Sequence, residues 1–249
     1  MLLENKVAVI YGAGGPIGGA VARAFSREGG HVYLSGRTGA KVDALADDIR
    51  ASGGQAESAA VDALDEQAVN EYVDAVVGRA GRIDISFNLI GYGDVQQPLM
   101  EISVDDFLQP IVNAMRSHFL SGRAAARHMI EQRSGVILAF GGSGPQTLPG
   151  LGGFKIALDA LEGLRRQWAL ELGEHGIRVV TLKTGGIPES LPSDFEWRDE
   201  ITESLVEPTL LKRAATLKDV GNVAAFVASD KAKSMTSTEV NISGGAMVD

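Results

Sequence analysis

Short apolar runs at 7–11, 31–35, 59–61, 83–88, 135–140, 178–182 and 239–242 alternate with longer stretches at 17–28, 39–52, 66–80, 104–133, 154–173 and 217–228, in which apolar residues recur every three or four positions. A short continuous apolar run suits a strand covered on both faces, and the three-and-four spacing suits a helix that lays one face on it. Their alternation predicts βαβ units and hence a Rossmann-type α/β fold, a doubly wound seven-stranded parallel sheet with helices on both faces. No repeat or composition shift divides the chain, so residues 1–249 read as a single domain. Only 187–211 breaks the rhythm: it carries Pro188, Pro192 and Pro208 around acidic residues, with Phe195 and Trp197, and is expected to be a lid over a substrate.

Composition narrows the function. With 45% hydrophobic and 22% charged residues the chain has enough apolar material for a core. The lack of cysteine excludes disulfides and thiolate metal sites, and no metal is expected. An excess of 32 acidic over 23 basic residues argues against binding nucleic acid or an anionic membrane. No apolar run approaches the roughly 18 residues of a membrane span, and Glu4 and Lys6 interrupt the stretch where a signal peptide needs its apolar centre. A cytoplasmic protein with a small-molecule substrate is the expectation.

The chemistry begins directly after the first strand, at Gly12-Ala13-Gly14-Gly15-Pro16-Ile17-Gly18-Gly19. Glycines there let the backbone turn tightly and approach a diphosphate, whose charge the N–H groups and dipole of the following helix favour. After the second strand the chain reads Ser35-Gly36-Arg37-Thr38. An acid at this turn would bond a ribose 2′-hydroxyl; glycine followed by arginine instead accommodates a 2′-phosphate, which favours NADP over NAD.

The glycine loop resembles the Gly-x-x-x-Gly-x-Gly turn of the classical short-chain dehydrogenases/reductases (SDRs), with Gly12 and Gly18 matching and Pro16 where the middle glycine belongs. The resemblance extends over nearly the whole chain: Asn88 and Gly91 match the ends of the family's Asn-Asn-Ala-Gly segment, 162–173 and 175–179 match without a gap, and Asn241-Ile242-Ser243-Gly244-Gly245 is similar to its C-terminal Asp-Gly-Gly signature. It implies that Gly12, Gly14, Gly15, Ile17 and Gly18 hold the diphosphate, Arg37 and Thr38 the 2′-phosphate, and Asp62 with Ala63 the adenine. Asn88, Gly91, Gly185 and Ile187 complete the cofactor-binding set. It also implies a homo-oligomer, dimer or tetramer, built through the helices at 104–133 and 154–173.

At the reaction centre the resemblance fails. The family uses a tyrosine for proton transfer, a lysine four residues later that lowers its pKa, and a serine that binds the substrate oxygen; counting back along the gap-free helix puts Phe154, Leu158 and Gly141 in those places. None offers an exchangeable proton, an ammonium or a hydroxyl. Lys155 projects about 100° away from Phe154 and reads as a solvated helix lysine. Candidates for substitute chemistry are Tyr92 after Gly91, Ser143 just past the vacated serine, Lys183 at the end of the sixth strand, and Asn113, which resembles the family's helix-borne asparagine. His118 and His128 read as surface or interface groups. The expected function is an NADP(H)-dependent oxidoreductase with non-standard or weak catalysis on a small, apolar carbonyl or enoyl substrate. The alternative is a catalytically silent relative that binds NADP(H) or another ligand as a sensor or noncatalytic subunit; an isomerase or lyase on the same fold is a third reading.

Overall fold

The computed structural model describes residues 1–249 except 142, 143, 145, 146, 193 and 249. Its strands are β1 (Val7–Tyr11), β2 (His31–Gly36), β3 (Gln55–Ala60), β4 (Ile85–Asn88), β5 (Gly135–Gly141), β6 (Ile177–Lys183) and β7 (Thr238–Asn241). Its helices are α1 (Pro16–Arg27), α2 (Gly39–Ala51), α3 (Glu66–Ala80), α4 (Val104–Gln132), α5 (Gly153–Leu172), α6 (Arg198–Val206) and α7 (Leu217–Ala228). All strand pairs are parallel, in the order β3-β2-β1-β4-β5-β6-β7.

The alternation of side chains along β1 shows why both faces carry helices. Ala8 and Ile10 enter one core with Val21 and Phe25 of α1, Val42 of α2 and Val220 and Ala224 of α7. Val7, Val9 and Tyr11 point the other way, into a core with Val69 and Val73 of α3, Leu120 and Ala124 of α4 and Ala169 of α5. Local signals set the helix ends. Asp65 caps α3 by accepting from Ala68 N at 3.0 Å, and Gly81 ends it in the left-handed region at φ 75°. Thr216 and Asp219 form a reciprocal capping box on α7.

One expectation is corrected, and one element is added to the predicted set. The third strand is Gln55–Ala60 rather than 59–61: as a sheet edge paired only with β2, its sequence QAESAA needs little apolar content, and only Ala56 is buried. The stretch 187–211 contains α6, nine residues long with none buried, after a 3₁₀ turn at Pro188–Ser190. Among the described residues no helix is long and apolar enough to cross a membrane.

Candidate functional site

β1 has β2 on one side and β4 on the other, so the strand order reverses there and a crevice opens above the carboxyl ends of these strands. A cavity of about 320 Å³ fills it, lined by the glycine loop, the β2 exit, Asp62 to Leu64 and the loop after β4. Gly12 is in the left-handed region at φ 74°, and a Cβ there would stand 2.5 Å from the Leu89 carbonyl oxygen. A Cβ on Gly18 would stand 2.4 Å from the Gly12 carbonyl oxygen, which fixes how closely α1 approaches the turn. Gly15 caps α1 with no side-chain hydrogen bond, and Pro16 occupies its first position. The N-cap thus offers no side-chain acceptor to the first-turn amides of α1, an arrangement that suits a diphosphate.

Of the expected cofactor residues, Gly12, Gly15, Arg37, Asp62, Ala63 and Gly91 line this cavity. Gly14 is on the α2 side of the loop, where a Cβ would meet the Lys41 Cβ at 3.1 Å. Ile17 packs on the core under α1, and Thr38 caps α2 without a side-chain bond. Asn88 is buried below the crevice: its Oδ1 accepts from Ile90 N at 3.1 Å and its Nδ2 donates to Ser121 Oγ at 3.3 Å, which pins the loop after β4. Gly185 packs against Ala246 and Ser243, and Ile187 joins the core, so neither lines this cavity. The fit to a dinucleotide is good at the diphosphate and adenosine end.

The four candidates for substitute chemistry separate. Asn113 lines the cavity and donates from Nδ2 to the Tyr92 carbonyl at 2.8 Å. Tyr92 itself is turned inward, 5% exposed, with its hydroxyl 3.0 Å from His118 Nε2 and 3.3 Å from the Phe140 carbonyl oxygen. Lys183 is also buried, 3.1 Å from Glu239 Oε2 on the neighbouring strand. Beside that pair lie Glu162 and Arg165, joined at 2.7 Å; burial, then the nearby Glu239, holds the Glu162 carboxyl above its ordinary range. Ser143 falls outside the described residues.

His118 corrects its expectation: it is 6% exposed, and burial pushes its pKa down to about 3. His128 pairs with Asp74 on α3 at 2.8 Å. Lys155 is largely covered and paired with Asp159 at 2.6 Å rather than solvated. Phe154 and Leu158 pack with Tyr92, Ala114 and Ala157 into a third apolar cluster. A Cβ on Gly141 would lie 2.7 Å from Leu158 Cδ2 and 4.0 Å from Tyr92 Oη, so positions 141, 158 and 92 meet at one point. Composition could not have revealed the Tyr92–His118 contact, which joins residues 26 positions apart.

A parallel seven-stranded sheet with a glycine loop at its switch point defines the dinucleotide-binding class of α/β proteins. A family model described as enoyl-(acyl carrier protein) reductase matches residues 12–247, and the chain belongs to this family of short-chain dehydrogenases/reductases. It is 31% identical over 251 residues to an uncharacterized oxidoreductase of Bacillus subtilis, covering 98% of this chain and 92% of that protein. The solved structure of 7α-hydroxysteroid dehydrogenase with NADH and 7-oxo glycochenodeoxycholic acid is 27% identical, with a TM-score of 0.88 over 98% of this chain and 94% of that one. NAD⁺-bound xylitol dehydrogenase is 25% identical, with a TM-score of 0.89 over 98% of this chain and 100% of that one.

Proposed function

We propose that the chain binds NADP(H) in the crevice over β1, β2 and β4 and is an oxidoreductase of non-standard, weak activity toward a small, apolar carbonyl or enoyl compound. The observation that carries the cofactor choice is the β2 exit, where Gly36 and the exposed Arg37 line the cavity and the turn holds no carboxylate. A 2′-phosphate there meets a guanidinium in place of a repelling charge. The two solved relatives carry NADH and NAD⁺, so the phosphate preference is read from this chain's own turn.

When bound, the nicotinamide supplies or accepts the hydride. This chain's residues do the rest: the glycine loop lets backbone amides approach the diphosphate, Asp62 and Ala63 border the adenosine end, and Asn113 holds the loop after β4 against the crevice. Phe154, Leu158 and Gly141 stand at the family's tyrosine, lysine and serine positions, which removes a positioned acid that typically contributes a rate factor of about 10² to 10⁴. Phe195 and Trp197, both exposed on the 187–211 stretch, are the apolar groups of a lid.

A second reading is favoured by one observation, the packing of Phe154 and Leu158 into an apolar cluster at the vacated centre. It makes the chain a catalytically silent sensor or noncatalytic subunit. Calorimetry with NADPH and NADH tests the cofactor, and equal or tighter NADH binding would overturn it. Following NADPH oxidation over a panel of small ketones, aldehydes and enoyl thioesters separates the two readings: turnover supports the enzyme, and binding without turnover on any member supports the silent relative. We place the protein in the cytoplasm as a homo-oligomer.

A further inference from the structure

Tyr92 comes from the loop after β4 and His118 from the middle of α4, and they meet inside the protein with Tyr92 Oη 3.0 Å from His118 Nε2. The same hydroxyl is 4.0 Å from where a Cβ on Gly141 would stand. Gly141 puts no side chain between. Phe154 and Leu158 close the other sides, the Phe154 ring centroid lying 6.2 Å from that of Tyr92. Of Gly141, Phe154, Leu158 and Tyr92, only Tyr92 carries an exchangeable proton.

A phenol has one proton to donate and two lone pairs to accept with. Burial keeps His118 neutral, so its Nε2 accepts from the phenol in one tautomer and donates to the phenol oxygen in the other. In the second tautomer the phenol proton is left to turn between the Phe140 carbonyl, 3.3 Å away, and a ligand oxygen. Burial also raises the Tyr92 phenol above its ordinary range, so it stays protonated and serves as a donor, not a base.

We infer that Tyr92, oriented by His118, donates the hydrogen bond to the substrate's carbonyl oxygen, in place of the hydroxyl that position 141 lacks. The inference rests on the oxidoreductase reading and assigns its ligand class as a carbonyl compound. Tyr92 keeps its proton while it polarises the C=O bond, and His118 is a positioning residue.

The test is the infrared carbonyl stretch of ¹³C-cyclohexanone bound to the NADP⁺-loaded protein, which reads hydrogen bonding without turnover. The unmutated protein is expected to move the band to lower frequency than in hexane. Tyr92→Phe should lose the shift and bind the ketone about fivefold more weakly, the worth of one hydrogen bond, and His118→Gln should lose part of the shift. Should Tyr92→Phe unfold by leaving His118 unpaired, Tyr92→Phe with His118→Leu removes both partners together and should show the same loss. A shift that survives in the Tyr92 variants overturns the inference, as does a folded, NADP⁺-binding protein that takes up no cyclohexanone. A full shift in His118→Gln overturns the positioning role. Absence of NADP⁺ binding, recorded separately by calorimetry, overturns the cofactor reading and this inference together.

Discussion

A methyl carbon of Leu158 stands 2.7 Å from the point that a Cβ on Gly141 would occupy, and Gly141 has a φ of 141°. A serine at 141 therefore has to hold a strained backbone conformation, and beside Leu158 it also has to move that methyl aside. Phe154→Tyr with Leu158→Lys should raise NADPH turnover on a small ketone by supplying a phenol and a cation that lowers its pKa. Adding Gly141→Ser should cost about 1–3 kcal/mol of stability. Steady-state kinetics read the first effect and thermal melting the second; a triple variant that melts with the double one would show that the β5 exit relaxes.

Arg37→Ala should cut the preference for NADPH over NADH about tenfold or more, since a charge-assisted hydrogen bond contributes about 1.5–3 kcal/mol. NADH affinity should hardly move. Calorimetry on both nucleotides checks it, and an equal loss for both would place Arg37 away from the 2′-phosphate.

His118 makes stability depend on pH in a defined direction. Its folded pKa is depressed to about 3 from an ordinary 6.5, so the unfolded chain binds the proton first. The contribution is complete above 6.5 and is lost as pH falls from there toward 3. Carboxylates also titrate in this range, so the readout is a difference: His118→Gln should show a shallower loss of denaturation midpoint across the window. Parallel curves for the two proteins would count against a buried, neutral His118.

Asp84 fastens β1 to β4. It is buried, accepts from Val7 N at 2.8 Å and takes two bonds from Arg82, at 2.9 and 2.5 Å. Asp84→Ala leaves a strand N–H and a guanidinium without their acceptor and should cost about 2–5 kcal/mol. Urea denaturation measures this; a loss below 1 kcal/mol, roughly that of an exposed pair, would show that water replaces the carboxylate.

Val104, Leu108 and Val112 form an exposed apolar stripe at four-residue spacing on α4. If it is the face between copies, light scattering at micromolar concentration should give a multiple of the chain mass, and Leu108→Glu with Val112→Glu should lower it. A monomeric mass for the unmutated protein would refute the assembly.

What the sequence made legible was local. The fully apolar Val7–Tyr11 and the capped, periodic Glu66–Ala80 and Leu217–Ala228 have the bounds that the pattern predicts. The glycine loop was legible because its residues are contiguous and its meaning depends only on a strand before and a helix after. β3 was misplaced because an edge strand buries too little to look apolar, and α6 escaped because a nine-residue helix with no buried residue leaves no periodic trace. Spacing along α5 puts Phe154 and Leu158 at the positions proposed for the reaction centre; that Tyr92 packs with them was not legible, because it comes from the distant loop after β4. His118 looked like a surface residue because it lies on a helix 29 residues long, and only the folded chain shows that its face, with Ser117 and Ser121, is the covered one.

The place of β1 beside β4 also bears on how the protein is made. Val7 and the Asp84 carboxylate that holds it are separated by 77 residues. At about 5–20 residues per second a ribosome needs roughly 4–15 s to supply that interval. For those seconds β2 can cover one edge of β1, while the other, on a strand with all five residues buried in the finished sheet, has no partner. β1, an interior strand of the native sheet, is thus the one whose pairing edge waits longest for its partner during synthesis, and a chaperone or a slow codon run before residue 85 would act there.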